Sequence, residues 1–116
     1  MSAQQRKGST FEKSIADYLA IQLQDDRIER RVTNGNKDRG DIGGVRLNGH
    51  RVVIECKNHN RLNLAGWVDE AQTEAGNDDA ILGAVVHKRR GTAQPGEQYV
   101  TITVDDLITL LSGGVQ

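Results

Sequence analysis

The feature that most constrains the fold of this chain is Asn48-Gly49, which lies between two segments with the composition of β-strands. Asn-Gly favours the tight turn of a β-hairpin, because both residue types tolerate the left-handed backbone that such a turn requires. We therefore predict strands over 41–47 and 51–57 that pair in an antiparallel manner.

The second predicted strand, 51–57, carries different chemistry on its two faces, because side chains two positions apart point the same way. One face is apolar and suited to a core, with Val52, Ile54 and Cys56. The other face carries Val53, Glu55 and Lys57. An arbitrary Glu-x-Lys in a strand is most often a surface ion pair, so this pair alone does not define a site.

Asp41 begins the first predicted strand, and its position relative to Glu55 depends on the register of the hairpin. A regular two-residue turn puts Asp41 on the face opposite to Glu55. A three-residue turn over 48–50, or a bulge at Gly43-Gly44, brings the two carboxylates to the same face. An acidic metal site therefore requires one of these irregularities. The alternative is that Asp41, which follows a glycine, simply ends a loop.

Glu12 lies in a segment, 9–24, that has the apolar periodicity of a helix. The apolar residues recur at helical spacing: Phe11, Ile15, Tyr18, Leu19 and Leu23. Glu12 falls on the same arc, where a carboxylate is costly unless it has a partner. Two interpretations are open: Ser9-x-x-Glu12 is a capping box with Ser9 as the N-cap, or Glu12 points into a metal site.

The other segments complete a simple pattern of elements. We predict a short, possible edge strand over 28–33, a helix over 64–75, a central apolar strand over 80–87, a strand over 98–104 and a helix over 105–111. The order α-β-β-β-α-β-β-α predicts an α/β fold with a five-stranded mixed sheet flanked by helices. The 116 residues suit a single domain over 1–116.

The net charge of −1 hides an asymmetry along the chain. Residues 1–61 carry 12 Lys and Arg against 8 Asp and Glu, whereas residues 62–116 carry 3 against 8. A basic half suits contact with phosphates, although solvated surface charge is the common alternative. The single cysteine, Cys56, excludes an intramolecular disulfide. With a polar N-terminal segment and no membrane-length apolar run, we expect a cytoplasmic protein, or one in the host cytoplasm if the source is viral.

The ordered set Lys7-Gly8, Glu12, Gly40-Asp41 and Glu55-x-Lys57 resembles the PD-(D/E)xK nuclease superfamily. It is most similar to the archaeal-type Holliday junction resolvases and related phage and viral enzymes. The resemblance covers about residues 6–90, and departs from the pattern where Gly40, not proline, precedes Asp41. It implies a restriction-endonuclease-like fold and a homodimeric, Mg²⁺-dependent endodeoxyribonuclease that acts on four-way DNA junctions in recombination and repair, with Mn²⁺ able to substitute.

The resemblance also implies roles for individual residues. Asp41 and Glu55 are the core metal ligands, Glu12 is a direct or water-mediated ligand, and the backbone carbonyl of Cys56 is a further ligand. Lys57 orients or helps to deprotonate the attacking water and stabilises the developing charge. Arg6, Lys7 and Ser9 contact the DNA backbone near a helix N-terminus. Gln72 resembles a glutamine placed near such sites, with an exposed helix residue as the alternative.

Further basic residues are candidates for a DNA channel, with ordinary solvated charge as the alternative: Arg30, Arg31, Lys37, Arg39, Lys88 and Arg89. Trp67 is expected in the core or at a dimer interface. The motifs do not separate a junction resolvase from a restriction-type or repair nuclease. A non-catalytic DNA-binding module is a third possibility, but binding alone does not need Asp41, Glu55 and Lys57.

Overall fold

A computed structural model describes residues 2–32 and 38–115 of the chain. The elements are α1 (Ala3–Gln22), β1 (Glu29–Arg30), β2 (Ile42–Gly43), β3 (Arg46–Leu47), β4 (His50–Lys57), α2 (Leu64–Asn77), β5 (Leu82–His87), a 3-10 turn (Pro95–Glu97), β6 (Tyr99–Thr101) and α3 (Val104–Leu111). No helix in these ranges is long and apolar enough to cross a membrane.

The strands form one mixed sheet in the order β1-β2-β4-β5-β6, and β3 pairs with β4 beside the hairpin turn. β4 and β5 are parallel, and the other neighbouring strands are antiparallel. The prediction of an α/β fold with a mixed sheet is confirmed. The described residues form six strands rather than the predicted five, because the segment 41–47 is divided into β2 and β3.

The hairpin turn has two residues, so the predicted alternative of a three-residue turn over 48–50 is wrong. Leu47 pairs with His50, and both turn residues have positive φ, +49° at Asn48 and +86° at Gly49. Two left-handed residues in succession match the right-handed twist of the flanking strands. The turn alone would therefore place Asp41 on the wrong face.

A bulge between β2 and β3 restores the register that a metal site requires. Between the pairs Arg46–Arg51 and Ile42–Ile54, the first strand has three residues and β4 has two. The extra residue shifts the pairing by one position, so that Asp41 lies opposite Glu55. Gly44, with φ +89°, is part of this bulge. A Cβ there would lie 2.2 Å from the carbonyl oxygen of Arg27, so the bend requires glycine.

Helix α1 begins six residues earlier than predicted, at Ala3. Ser2 and Gln5 form a complete capping box, the same pattern that the sequence also offers at Ser9. The prediction that Ser9 is the N-cap is therefore wrong, and Ser9 lies inside the helix. It follows that Glu12 does not cap its own helix, and its place on the apolar arc needs another explanation.

Helices cover both faces of β4. Against one face, α1 packs to form an apolar cluster that includes Phe11, Ile15, Ala16, Val52, Ile54 and Cys56. On the other face, α2 packs Trp67 and Ala71 against Val85. The approach of α2 is close, since a Cβ at Gly83 would lie 2.3 Å from the carbonyl oxygen of Ala71. Glu55 pairs with Val85 across the sheet and is therefore buried beneath α2.

The remaining predicted elements are confirmed within three residues of their predicted ends. β1 is an edge strand, as expected. β5 lies between β4 and β6 and is buried along its whole length, which is the covered position that its continuous apolar run predicted.

Candidate active site

A cavity of about 320 Å³ lies at the end of β4. All four residues that the sequence analysis proposed as catalytic line it: Glu12, Asp41, Glu55 and Lys57. They come from α1, from the start of the bulged strand and from the end of β4. The cavity is also lined by Lys7 and Cys56. The structure thus brings the predicted constellation together, although its members are up to 45 residues apart in the chain.

Asp41 is held against β4 by a hydrogen bond from its neighbour strand. The backbone amide of Cys56 donates to Asp41 Oδ2 at 2.8 Å. The backbone amide of Asp41 donates to the carbonyl oxygen of Ile54 at 3.0 Å. These two contacts anchor the carboxylate beside Glu55, which is the position that the bulge makes available.

Glu12 faces Asp41 and is paired with Arg30. Arg30 Nε donates to Glu12 Oε2 at 2.9 Å, and Arg30 Nη2 donates to the hydroxyl of Ser9 at 3.1 Å. Burial raises the pKa of Glu12; the guanidinium of Arg30 opposes this rise and the nearby carboxylate of Asp41 adds to it. Arg30 and Ser9 were both predicted to contact DNA. In the structure Arg30 is engaged with Glu12, and Ser9 is engaged with Arg30.

Glu55 is a buried carboxyl group, only 5% exposed. Its Oε2 lies 3.4 Å from Lys57 Nζ, whereas its Oε1 has no hydrogen-bond partner among the described residues. Burial, and then the carboxylates of Asp41 and Glu74, raise the pKa of Glu55 to about 10 against the opposing charge of Lys57. A cation bound at Glu55 would favour the ionised carboxylate and so oppose this rise.

Lys57 lies between two carboxylates. Its Nζ donates to Glu70 Oε2 at 2.8 Å and lies 3.4 Å from Glu55 Oε2, with the side chain only 15% exposed. Burial disfavours the ammonium form, but Glu70 and Glu55 outweigh it, so the pKa of Lys57 is raised above its ordinary value. Lys57 therefore stays positively charged across the physiological range.

Two acidic residues that the sequence analysis did not select lie beside this cavity. Glu74 of α2 is 4% exposed, and Asp38 precedes the predicted Gly40-Asp41 motif. Carboxylate oxygens of Asp38, Glu55 and Glu74 lie within 4.8 Å of one another. Burial, followed by Asp38, raises the pKa of Glu74 to about 8. The sequence did contain a signal for Glu74. This residue lies on the same apolar helix stripe as Trp67 and Ala71, just as Glu12 lies on the apolar stripe of α1.

The other predicted DNA-binding residues have varied surroundings. Arg6, Lys7 and Lys88 line a shallow cavity that adjoins the site through Lys7. The ammonium of Lys88 also donates to the carbonyl oxygens of Arg89 and Thr92. Arg31 and Arg39 approach Asp78 at 3.5 Å and 4.0 Å, and Arg89 lies 5.4 Å from the centre of the Tyr99 ring. Lys37 lies outside the described residues.

Gln72 and Trp67 contact residues other than the acidic group. Gln72 Nε2 donates to Asp106 Oδ2 at 2.6 Å and so links α2 to α3. Trp67 is buried, as expected for a core residue. The centre of its ring lies 5.7 Å from the ring centres of both His59 and His87.

The fold and the cavity define an α/β protein with a buried acidic group beside a charged lysine. Comparison of the chain with protein-family models, with curated proteins and with solved structures found no match. Support for a function therefore comes from the arrangement of the residues in this chain.

Proposed function

We propose that this protein is a Mg²⁺-dependent endonuclease that hydrolyses phosphodiester bonds in branched DNA, as a Holliday junction resolvase of the PD-(D/E)xK type. One observation carries the proposal: the bulge at Gly44 places Asp41 opposite Glu55, in a cavity shared with Glu12 and Lys57. Motif order alone does not require these side chains to meet, and a regular hairpin would separate Asp41 from Glu55.

The donor set fits a divalent cation of the Mg²⁺ type. Asp41, Glu55 and Glu12 offer hard carboxylate oxygens, and Cys56, which also lines the cavity, offers its backbone carbonyl. The unpartnered Oε1 of buried Glu55 is the feature that most needs a cation. When bound, Mg²⁺ or Mn²⁺ would lower the pKa of a ligated water and offset charge on the scissile phosphate.

Lys57 is held as a hydrogen-bond donor at the cavity. Its Nζ donates to Glu70 Oε2 at 2.8 Å and lies 3.4 Å from Glu55 Oε2. An ammonium beside Glu55 stabilises the charge that develops on the phosphate in the transition state and orients the water by donating to it. We therefore propose electrostatic stabilisation, not general-base catalysis, for Lys57.

Recognition of DNA is proposed to rest on phosphate contacts. Arg6, Lys7 and Lys88 lie around the cavity that adjoins the acidic group, where they can position a backbone without reading bases. Recognition by shape suits a branched substrate better than a fixed sequence.

The test of the function uses a labelled four-way junction, a flap and a linear duplex. We expect the wild-type protein to nick the junction symmetrically with Mg²⁺ or Mn²⁺ and to be inactive in EDTA. Asp41→Asn should bind the junction without cleaving it. Its matched control is Asp17→Asn, which alters an exposed carboxylate that pairs with Lys13 on the surface of α1.

The outcomes separate the alternatives. Equal cleavage of duplex and junction would favour a restriction-type or repair nuclease. Binding of DNA without cleavage of any substrate by the wild-type protein would favour a non-catalytic DNA-binding module.

A homodimer follows from the proposed substrate, because a two-fold symmetric junction needs two active sites for paired cuts. An exposed face of α3 suits a second copy of the chain, since it carries aliphatic side chains: Val104, Leu107, Ile108 and Leu111. This face follows directly after β6 in the chain, and β6 is an edge strand of the sheet on which Tyr99 and Val100 are also exposed. The polar Asp106 and Thr109 point inward instead. An exposed aliphatic patch of this kind can pack against its own copy.

Ile108→Glu is expected to convert a dimer into a monomer, since Ile108 is 54% exposed within this face. The added charge would be buried between two copies without a partner. Light scattering on a sizing column measures the mass. Ile21→Glu is the control, because Ile21 is 71% exposed on a different helix, α1. A wild-type protein with the mass of one chain at micromolar concentration would contradict the proposal.

A further inference from the structure

We propose that Asp38, Glu55 and Glu74 form a second divalent-cation site, beside the site at Asp41 and Glu12, with Glu55 shared by both. The inference extends the proposed cation chemistry of the nuclease and in that sense rests on it. Cation binding is nevertheless measurable without DNA, so the two proposals can fail separately.

The distances suit a single ion. Carboxylate oxygens of the three residues lie within 4.8 Å of one another. Oxygens on opposite sides of a Mg²⁺ ion lie about 4 Å apart, and those around Ca²⁺ about 5 Å apart. The three groups can therefore close around one cation with only small movements of their side chains.

An unpartnered buried atom points to a missing ligand. Glu74 is 4% exposed, and its Oε1 has no hydrogen-bond partner among the described residues. Glu55 Oε1, on the strand that α2 covers, is also buried without a hydrogen-bond partner among the described residues. Within the part of the chain that the structure describes, Glu74 forms no salt bridge. A buried carboxylate without a counter-charge is strongly disfavoured, so the pair either shares a proton or holds a cation.

The fold holds Asp38 next to Glu74. Asn77 of α2, one turn after Glu74, donates from Nδ2 to the backbone carbonyl of Asp38 at 2.8 Å. The amide of Gly40 donates to Asp38 Oδ1 at 2.9 Å. These bonds tie the segment before β2 to the helix that carries Glu74. They therefore set two of the three ligands in place before a cation arrives.

The competing account is structural. In it, Glu55 and Glu74 share a proton, Asp38 only anchors the loop, and one cation binds at Asp41. The two accounts differ in the number of cations that the folded chain binds and in whether Glu74 contributes to one of them.

The experiment is a titration of the full chain with Mn²⁺, without DNA, followed by the electron paramagnetic resonance signal of the free ion. We expect two bound Mn²⁺ ions in the wild type and one in Glu74→Gln, which keeps the size of the side chain. Asp41→Asn should also bind one. Glu97→Gln, at an exposed position, is the control and should bind two. Circular dichroism checks that each variant is folded.

The outcomes are decisive in both directions. One bound ion in the wild type, or two in Glu74→Gln, would overturn the second site. If Glu74→Gln unfolds, the experiment uses Asp38→Asn instead, because Asp38 is an exposed ligand. This variant should also bind one ion. If Glu74→Gln binds one ion fewer than the wild type, but the wild type cleaves no DNA, the second site stands and the nuclease proposal is rejected. If the wild type cleaves DNA but binds only one ion, the nuclease proposal stands and the second site is rejected.

Discussion

Lys57→Ala is expected to slow cleavage of a four-way junction by at least about 100-fold while junction binding changes by only a few-fold. The ammonium is held between Glu55 and Glu70 at the cavity and stays charged, so its main contribution is to the transition state. The measurement is the single-turnover rate with saturating Mg²⁺, together with a binding titration in Ca²⁺ or EDTA.

The control for this variant is Lys13→Ala. Lys13 forms an exposed ion pair with Asp17 on α1, and such pairs contribute little to stability. It should cleave at the wild-type rate. If Lys57→Ala is folded and cleaves as fast as Lys13→Ala, the role assigned to Lys57 is wrong, whatever the substrate preference of the protein.

Gly44→Ala is expected to lower the free energy of unfolding by about 2–4 kcal/mol, from a strained backbone and an overpacked contact together. The residue has φ +89°, and its new Cβ would lie 2.2 Å from the backbone oxygen of Arg27. The carbonyl belongs to the chain before β1, so it cannot turn away as a flexible side chain would. Urea denaturation followed by circular dichroism measures the change.

Gly49→Ala separates the two causes, the strained backbone and the overpacked contact. Gly49 has nearly the same φ, +86°, but apart from its chain neighbours no atom of the described residues lies within 4 Å of the position of its Cβ. It should therefore cost only about 1–2 kcal/mol, the strain of the left-handed backbone alone. Equal losses in the two variants would show that the close approach at the bulge does not matter.

The bulge also links stability to the site. Because Gly44 sets the register of Asp41 against Glu55, folded Gly44→Ala should bind Mn²⁺ more weakly than folded Gly49→Ala. The comparison separates a general loss of stability from a misplaced ligand.

Much of the architecture was predictable because it depends on local patterns. The turn at Asn48-Gly49, the apolar face of Val52, Ile54 and Cys56, and the apolar run of β5 each reflect a short-range preference. The structure has all three. The start of α1 was missed because the chain offers two capping boxes. Local rules do not decide between Ser2 and Ser9 when the residues between them tolerate a helix.

By itself, the sequence determined which chemical groups are present and on which side of β4 Glu55 and Lys57 lie, since strand alternation follows from backbone geometry. Only the tertiary structure decided that Asp41 joins them, because the bulge packs the backbone of Gly44 against the carbonyl of Arg27, a contact between residues that are far apart in the chain. It also brought Arg30 to Glu12 and Glu74 to Glu55, since helix packing selects which buried carboxylates face each other. A charge on an apolar stripe is visible in the sequence, whereas its partner is set by the fold.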